Sequence, residues 1–207
     1  MTAVDTIIYI VDDDPAFLDS LRWLLESAGH AVKAYLSAED FLVACDSHQS
    51  GCLVLDVRMP GMSGLALQDE LARRAISLPI VFITGHGEVA MAVGALKKGA
   101  FEFVEKPFND EEFLAIIEKA LRHDFEERRA RARCLSAAAR IATLSPRERE
   151  VFERAVTGKP NKMIAGDLGI SVKTVEAHRA RMMMKMGADS IAELVQLALD
   201  GLPPQDR

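Results

Sequence analysis

Five short apolar runs rich in β-branched residues, each followed within a few residues by a helical pattern, leave this chain few folds to adopt. Thr6 to Val11, Ala31 to Leu36, the run ending at Asp56, Leu78 to Thr84 and Phe101 to Glu105 read as strands. Helices are expected from Asp14-Pro15 to Gly29, Ser37 to Asp46, about Gly64 to Ala75, Glu88 to Lys98, and from Asn109 onward. Short connections and right-handed crossovers then predict an α/β fold: a doubly wound, five-stranded parallel sheet with helices on both faces. The common strand order at this size is 2-1-3-4-5, with a switch point between the first and third strands.

Open parallel sheets bind ligands at the carboxyl ends of their strands, and those ends carry the reactive side chains here. Leu53-Val54-Leu55 stops at Asp56, and a loop rich in Gly and Pro follows, Met59-Pro60-Gly61-Met62-Ser63-Gly64. Such an aspartate can also be a plain turn or cap residue. The order 2-1-3-4-5, however, would gather Asp12, Asp13 and Asp56 at one edge. Three neighbouring carboxylates repel, so the pocket calls for a proton or a cation. Mg²⁺ is suited to hard oxygen ligands and works with one or two carboxylates, waters and phosphate oxygens. A carboxylate so placed can act as a nucleophile toward a phosphoryl group. Thr84 adds a hydroxyl at the end of the fourth strand, and Lys106 an ammonium at the end of the fifth.

Past Glu112 the pattern Phe113, Ile116, Ile117, Ala120, Leu121 runs on without Gly or Pro until Pro146, which predicts a long linker helix. Its arginines could form a nucleic-acid arm, although interleaved glutamates favour a solvated face. Ser145-Pro146 with Glu148 is a strong helix start. Asn161 is expected to cap a short helix ending at Gly169, Ser171 a longer one to about Met186, and Ser190 a fourth ending near Gly201; the tail Leu202 to Arg207 is expected to fray. The chain thus divides into residues 1–123, a helical linker 124–142, and a four-helix all-α domain 143–207. Helix, short turn and longer helix over 161–186 is the arrangement that lays a recognition helix in a DNA major groove, and equally a protein-binding bundle. Val172, Val175, Met182 and Met186 are expected to pack inward, with Lys173, Glu176, Arg179 and Ala180 outward. Gly166, inside the shorter helix, suggests a close helix crossing.

Charge is unevenly shared: residues 1–123 carry 10 Lys+Arg against 19 Asp+Glu, and 143–207 carry 10 against 9. An acidic front half suits cations. No run approaches the length of a membrane span and no basic-then-apolar leader opens the chain, so a cytoplasmic protein is expected. Cys45, Cys52 and Cys134 show no ligand spacing and are expected to be reduced thiols.

The residues closely resemble a known family. Val11-Asp12-Asp13, Asp56-x-x-Met59-Pro60-x-Met62-x-Gly64, Thr84-Gly85 and Lys106-Pro107-Phe108 look like the CheY-like, flavodoxin-like receiver domain of two-component response regulators, over roughly 5–123. Leu144-Ser145-x-Arg147-Glu148, Asn161-Lys162-x-Ile164-Ala165, Thr174-Val175-Glu176-x-His178-Arg179 and Ala192-Glu193-Leu194-Val195 resemble the LuxR-type helix-turn-helix domain, over roughly 143–201. Together they are similar to regulators of the FixJ/NarL subfamily. The resemblance implies that Asp56 accepts a phosphoryl group from a sensor histidine kinase, with Mg²⁺ held by Asp12, Asp13, Asp56 and the Arg58 carbonyl. Lys106, after which a cis Pro107 is expected, would meet the phosphate, and Thr84 and Phe103 would act as the switch pair. Val89, Val93, Leu96 and Phe103 would form a homodimer face in the phosphorylated state. Lys173, Glu176, Ala177 and Ala180 would approach base edges of promoter DNA, and Asn161, Lys162, Thr174, Arg179 and Arg181 its phosphates; RNA polymerase is the further partner implied. Arg58 stands where the family often has Asn. A magnesium phosphohydrolase with an aspartyl nucleophile usually carries a second Asp at that place, which argues against an enzyme; an adaptor that binds protein through the helical domain is the other alternative.

Overall fold

The computed structural model describes residues 6–46, 49–85 and 89–201, the side chains of 89, 90 and 92 excepted. The chain divides into two compact units, Met1–Glu127 and Arg128–Arg207.

In the first unit, strands β1 (Ile7–Val11), β2 (Ala31–Tyr35), β3 (Gly51–Asp56), β4 (Ile80–Thr84) and β5 (Glu102–Glu105) alternate with helices α1 (Pro15–Ser27), α2 (Ala38–Ala44), α3 (Gly64–Arg73) and α4 (Val89–Lys97). All pairings are parallel and the order is β2-β1-β3-β4-β5, as expected from the sequence. The strand period of two sorts side chains into two layers. Tyr9, Val11, Leu53, Leu55 and Phe82 pack with Phe41, Leu67 and Leu71 of α2 and α3. Ile8, Ile10, Val54, Val81 and Ile83 face the other way, onto Leu18, Leu21 and Leu25 of α1 and onto Phe113 and Ile117. The last two belong to α5, an unbroken helix from Asp110 to Ala142.

Local chemistry sets the helix starts. Asp14 accepts from the amides of Ala16 and Phe17 with Pro15 in the first turn, and Ser37 and Ser63 cap α2 and α3. At the opposite edge of the sheet, buried Asp124 of α5 accepts from Ser50 Oγ and the Gly51 amide, each at 2.9 Å, tying this helix to the start of β3.

The second unit holds α6 (Pro146–Ala155), α7 (Asn161–Leu168), α8 (Val172–Met186) and α9 (Ile191–Asp200). Its core is Leu144, Val151, Phe152, Ile164, Val175, Met182, Met186 and Leu194. Three local expectations change. Pro160, not Asn161, is the cap residue of α7. Val172 is 41% exposed, because at the first position of α8 it lies beyond the reach of the core. A Cβ on Gly166 would meet nothing within 4 Å, so no close helix crossing requires that glycine.

The capping box at Ser145 is complete: Ser145 Oγ accepts from the Glu148 amide, and Glu148 Oε2 accepts from the Ser145 amide at 2.9 Å and from Lys185 Nζ at 2.6 Å. The bond from Lys185, with that from the Ser145 amide, holds the Glu148 carboxyl down at about 2 from an ordinary value of 4.5. A depressed carboxyl stabilises the fold fully above its unfolded pKa and loses that contribution as pH falls through the folded one. The helical unit is therefore expected to lose stability between pH 4.5 and about 2, and Glu148→Gln to flatten that slope in thermal melts followed by circular dichroism.

Candidate functional site

Strand register assembles the pocket. Val11 pairs with Leu55, so Asp12 and Asp56 are in register at the carboxyl ends of adjacent strands; Thr84 pairs with Glu105, so Lys106 lies one step further along the same edge. Lys106 Nζ donates to Asp12 Oδ2 at 2.8 Å and to Asp56 Oδ1 at 3.1 Å. It also stands 3.7 Å from the centroid of the Phe17 ring, a cation–π contact that no local sequence signal announces. Phe108 meets Phe17 edge-on and stacks on Phe113. The Lys106–Pro107 peptide is cis.

The other carboxylate oxygens are held by backbone: Asp12 Oδ1 accepts from the Asp14 amide at 2.9 Å and Asp56 Oδ2 from the Arg58 amide at 2.7 Å. Each oxygen has two lone pairs, so every one of the four retains acceptor capacity. Burial pushes the Asp56 carboxyl up, and Lys106 only partly offsets it. Burial alone would lower Lys106, but its bonds to Asp12 and Asp56 outweigh that and hold the ammonium charged. Thr84 is buried at the end of β4, its carbonyl accepting from the Lys106 amide at 2.7 Å.

Of the three acids expected there, Asp12 and Asp56 meet over the Lys106 ammonium and Asp13 is exposed; among the described residues no group of three His, Cys, Asp or Glu side chains is placed to hold a metal. The donor set nevertheless fits a hard cation: two oxygen-rich carboxylates face one ammonium, leaving a net negative site of the kind that Mg²⁺ occupies while keeping most of its waters. Glu39 was not foreseen from sequence. Its Oε1 accepts from the Met62 amide at 3.0 Å and pins the loop after β3.

Of the suggested dimer face, Val93 and Leu96 are exposed, at 47% and 41%, on α4, whereas Phe103 is half-buried against the core. The Val89 side chain lies outside the described residues, as do Glu88 and the tail Leu202 to Arg207. Burial holds the thiol of Cys52 well above its ordinary pKa, and Cys45 and Cys52 are free thiols.

In the second unit, α7 ends at Gly169 in the left-handed conformation (φ 66°), and Ser171 caps α8 by accepting from the Thr174 amide. Val175 is buried beneath α8, while Lys173, Thr174, Glu176, Ala177, Ala180 and Arg181 are exposed. Arg179 Nη1 donates to Asn161 Oδ1 at 2.7 Å, linking the two helices, and Arg181 Nε donates to the Ala177 carbonyl at 3.3 Å. Lys162 is exposed at the start of α7. His178 is half-buried, with its Nδ1 buried and unpartnered among the described residues, which sets it with the packed side of the helix.

Residues 8–118 match the response regulator receiver domain, and residues 142–198 match the bacterial regulatory proteins of the luxR family. The chain is 46% identical over 192 residues to the transcriptional regulatory protein FixJ of Bradyrhizobium diazoefficiens, covering 93% of this chain and 94% of that one. It is similar to the response regulator StyR (TM-score 0.85, 42% identity, 95% of this chain and 99% of that one). It is also similar to full-length FixJ from B. japonicum (TM-score 0.61, 44% identity, 96% and 98%). No helix among the described residues is long and apolar enough to cross a membrane.

Proposed function

This chain belongs to the two-component response regulators that join a receiver to a LuxR-type DNA-binding domain, and from that premise we propose that phosphorylation of Asp56 controls its binding to promoter DNA. The observation that carries the reading is the Lys106 ammonium shared between Asp12 and Asp56. It steadies an attacking carboxylate and waits where phosphoryl charge would build up. An Asp56 oxygen bonds to phosphorus as the P–N bond of a kinase phosphohistidine breaks and its electron pair returns to the imidazole. Asp12, Asp13, Asp56 and the Arg58 carbonyl would hold Mg²⁺, whose contribution is to neutralise phosphoryl oxygens. No turnover of small phosphate esters is proposed, since Arg58 stands where the usual general acid would be.

Residues 1–123 would serve as the receiver, 124–142 as the linker and 143–207 as the output domain. Thr84 would be recruited to the new phosphate and Phe103 would turn further inward, changing the α4–β5 face. Val89, Val93 and Leu96 then become the contact of a homodimer. Paired α8 helices would present Lys173, Glu176, Ala177 and Ala180 to base edges, with Asn161, Lys162, Thr174, Arg179 and Arg181 at phosphates. The protein would work in the cytoplasm, taking its signal from a cognate sensor kinase and passing it to RNA polymerase.

Acetyl phosphate is expected to add the mass of one phosphoryl group, to drive dimerisation in ultracentrifugation, and to tighten footprints on genomic fragments with a steep salt dependence. Asp56→Asn should lose all three responses. Undiminished uptake by that variant would sink the assignment of Asp56, and absence of any footprint would favour a protein-binding adaptor.

A further inference from the structure

Among the described residues, few groups hold helix α4. Of its described side chains only Ala95 is buried, at 1%, with Met91 packed partly against the core. Two neighbouring residues of α3 reach across to its C-terminal half. Asp69 accepts from Lys98 Nζ at 2.8 Å through both oxygens, but those side chains are 59% and 52% exposed, and ion pairs standing so far out in water contribute little. Gln68 is different. It is 5% exposed, and its Nε2 donates to the Ala95 carbonyl at 3.2 Å.

That bond is unbalanced at both ends. The Ala95 carbonyl already accepts from the amides of Lys98 at 3.1 Å and Ala100 at 3.0 Å, so losing Gln68 would leave it satisfied. Gln68 Oε1, by contrast, is buried with no partner among the described residues. Turning the amide over would set Oε1 against a carbonyl oxygen, so the acceptor stays orphaned while α4 stays where it is. The contact therefore holds the helix by one neutral hydrogen bond, and its loss leaves no carbonyl of α4 unsatisfied.

We propose that Gln68 is a latch for α4, a positioning residue that sets how readily a signal at Asp56 moves the helix. The inference deepens the phosphorylation reading and rests on it for the signal, though not for the hold itself. In the unphosphorylated protein the latch keeps α4 docked through the Gln68–Ala95 bond. When the pocket changes, that one weak bond is what must break first at the C-terminal half of the helix.

Hydrogen exchange measured by mass spectrometry on the full-length protein tests this, with wild type, Gln68→Met and Asp69→Asn each taken with and without acetyl phosphate. Gln68→Met should raise exchange in α4 roughly fivefold without the phosphodonor, the weight of one neutral hydrogen bond. The rise should stop at α4, and the further increment on adding acetyl phosphate should shrink; Asp69→Asn should stay near wild type. Exchange in α4 unchanged by Gln68→Met, a rise spread evenly over the receiver, or an equal effect of Asp69→Asn would overturn the latch. If Gln68→Met does not fold, Gln68→Glu, whose carboxylate faces the Ala95 carbonyl, should raise α4 exchange in the same way. A wild type indifferent to acetyl phosphate beside a loosened Gln68→Met would leave the hold standing and overturn the phosphorylation reading.

Discussion

Gly51→Ala is expected to cost the receiver about 3 kcal/mol or more and to lower its melting temperature by roughly 10 °C or more. Gly51 opens β3 with φ 136°, a region that L side chains rarely adopt. A Cβ there would lie 1.8 Å from the Ile7 carbonyl oxygen and 2.8 Å from its carbon. Both are backbone atoms of β1, the strand paired with β3, so no side chain can rotate away to make room. Relief would have to come from parting the two central strands or from breaking the bond between the Gly51 amide and Asp124. Gly29→Ala separates the two contributions. Gly29 also has positive φ, at 90°, but an added Cβ meets nothing within 4 Å, so only conformational strain of about 1 kcal/mol is expected. Calorimetry of the two variants checks the difference, and equal losses would refute the steric account.

Lys106→Met is expected to slow phosphoryl uptake from acetyl phosphate about a hundredfold, the usual scale for losing one charge-stabilising donor. Asp56 already has its carboxyl pushed up by burial, and Lys106 supplies the largest opposing pull. Without the ammonium, the carboxyl rises further and more of it is protonated at neutral pH, hence not nucleophilic. The acid limb of the rate profile should therefore move to higher pH than in wild type. Lys106→Arg keeps the charge and should recover part of the rate, though its wider head fits the space over Phe17 less well. A rate for Lys106→Met within threefold of wild type would show that the ammonium is a structural bridge and nothing more.

Much of this molecule was open to reading in one dimension because its signals are local. A proline after a capping aspartate, serines three residues ahead of the amides they accept from, and apolar runs of strand length are written in adjacent residues, and α1, α2, α6 and α8 start where those signals put them. The parallel sheet followed from handedness and connection length, rules that hold for any chain, and its strand order is the common one at this size. Once the order was given, Asp12, Asp56 and Lys106 had to share an edge.

What remained hidden needs distances between residues remote in sequence. Phe17 looks like any apolar position of an amphipathic helix until Lys106 is found over its ring. Glu39 and Gln68 carry no motif, since their partners, the Met62 amide and the Ala95 carbonyl, are backbone groups that every residue has. Asp13 looked equivalent to Asp12, but a bend after β1 leaves one buried and turns the other to solvent. Asn161 has the chemistry of a cap, yet its side-chain oxygen accepts from Arg179 instead, a choice set by the approach of α8. The sequence by itself determined the elements and their parallel pairing, and with the common strand order the edge on which the acids and the lysine meet, because periodicity, capping and crossover handedness act over a few residues or on any chain alike. Only the tertiary structure decided which side chains touch, since a hydrogen bond or a ring contact depends on angstroms that no spacing of letters records.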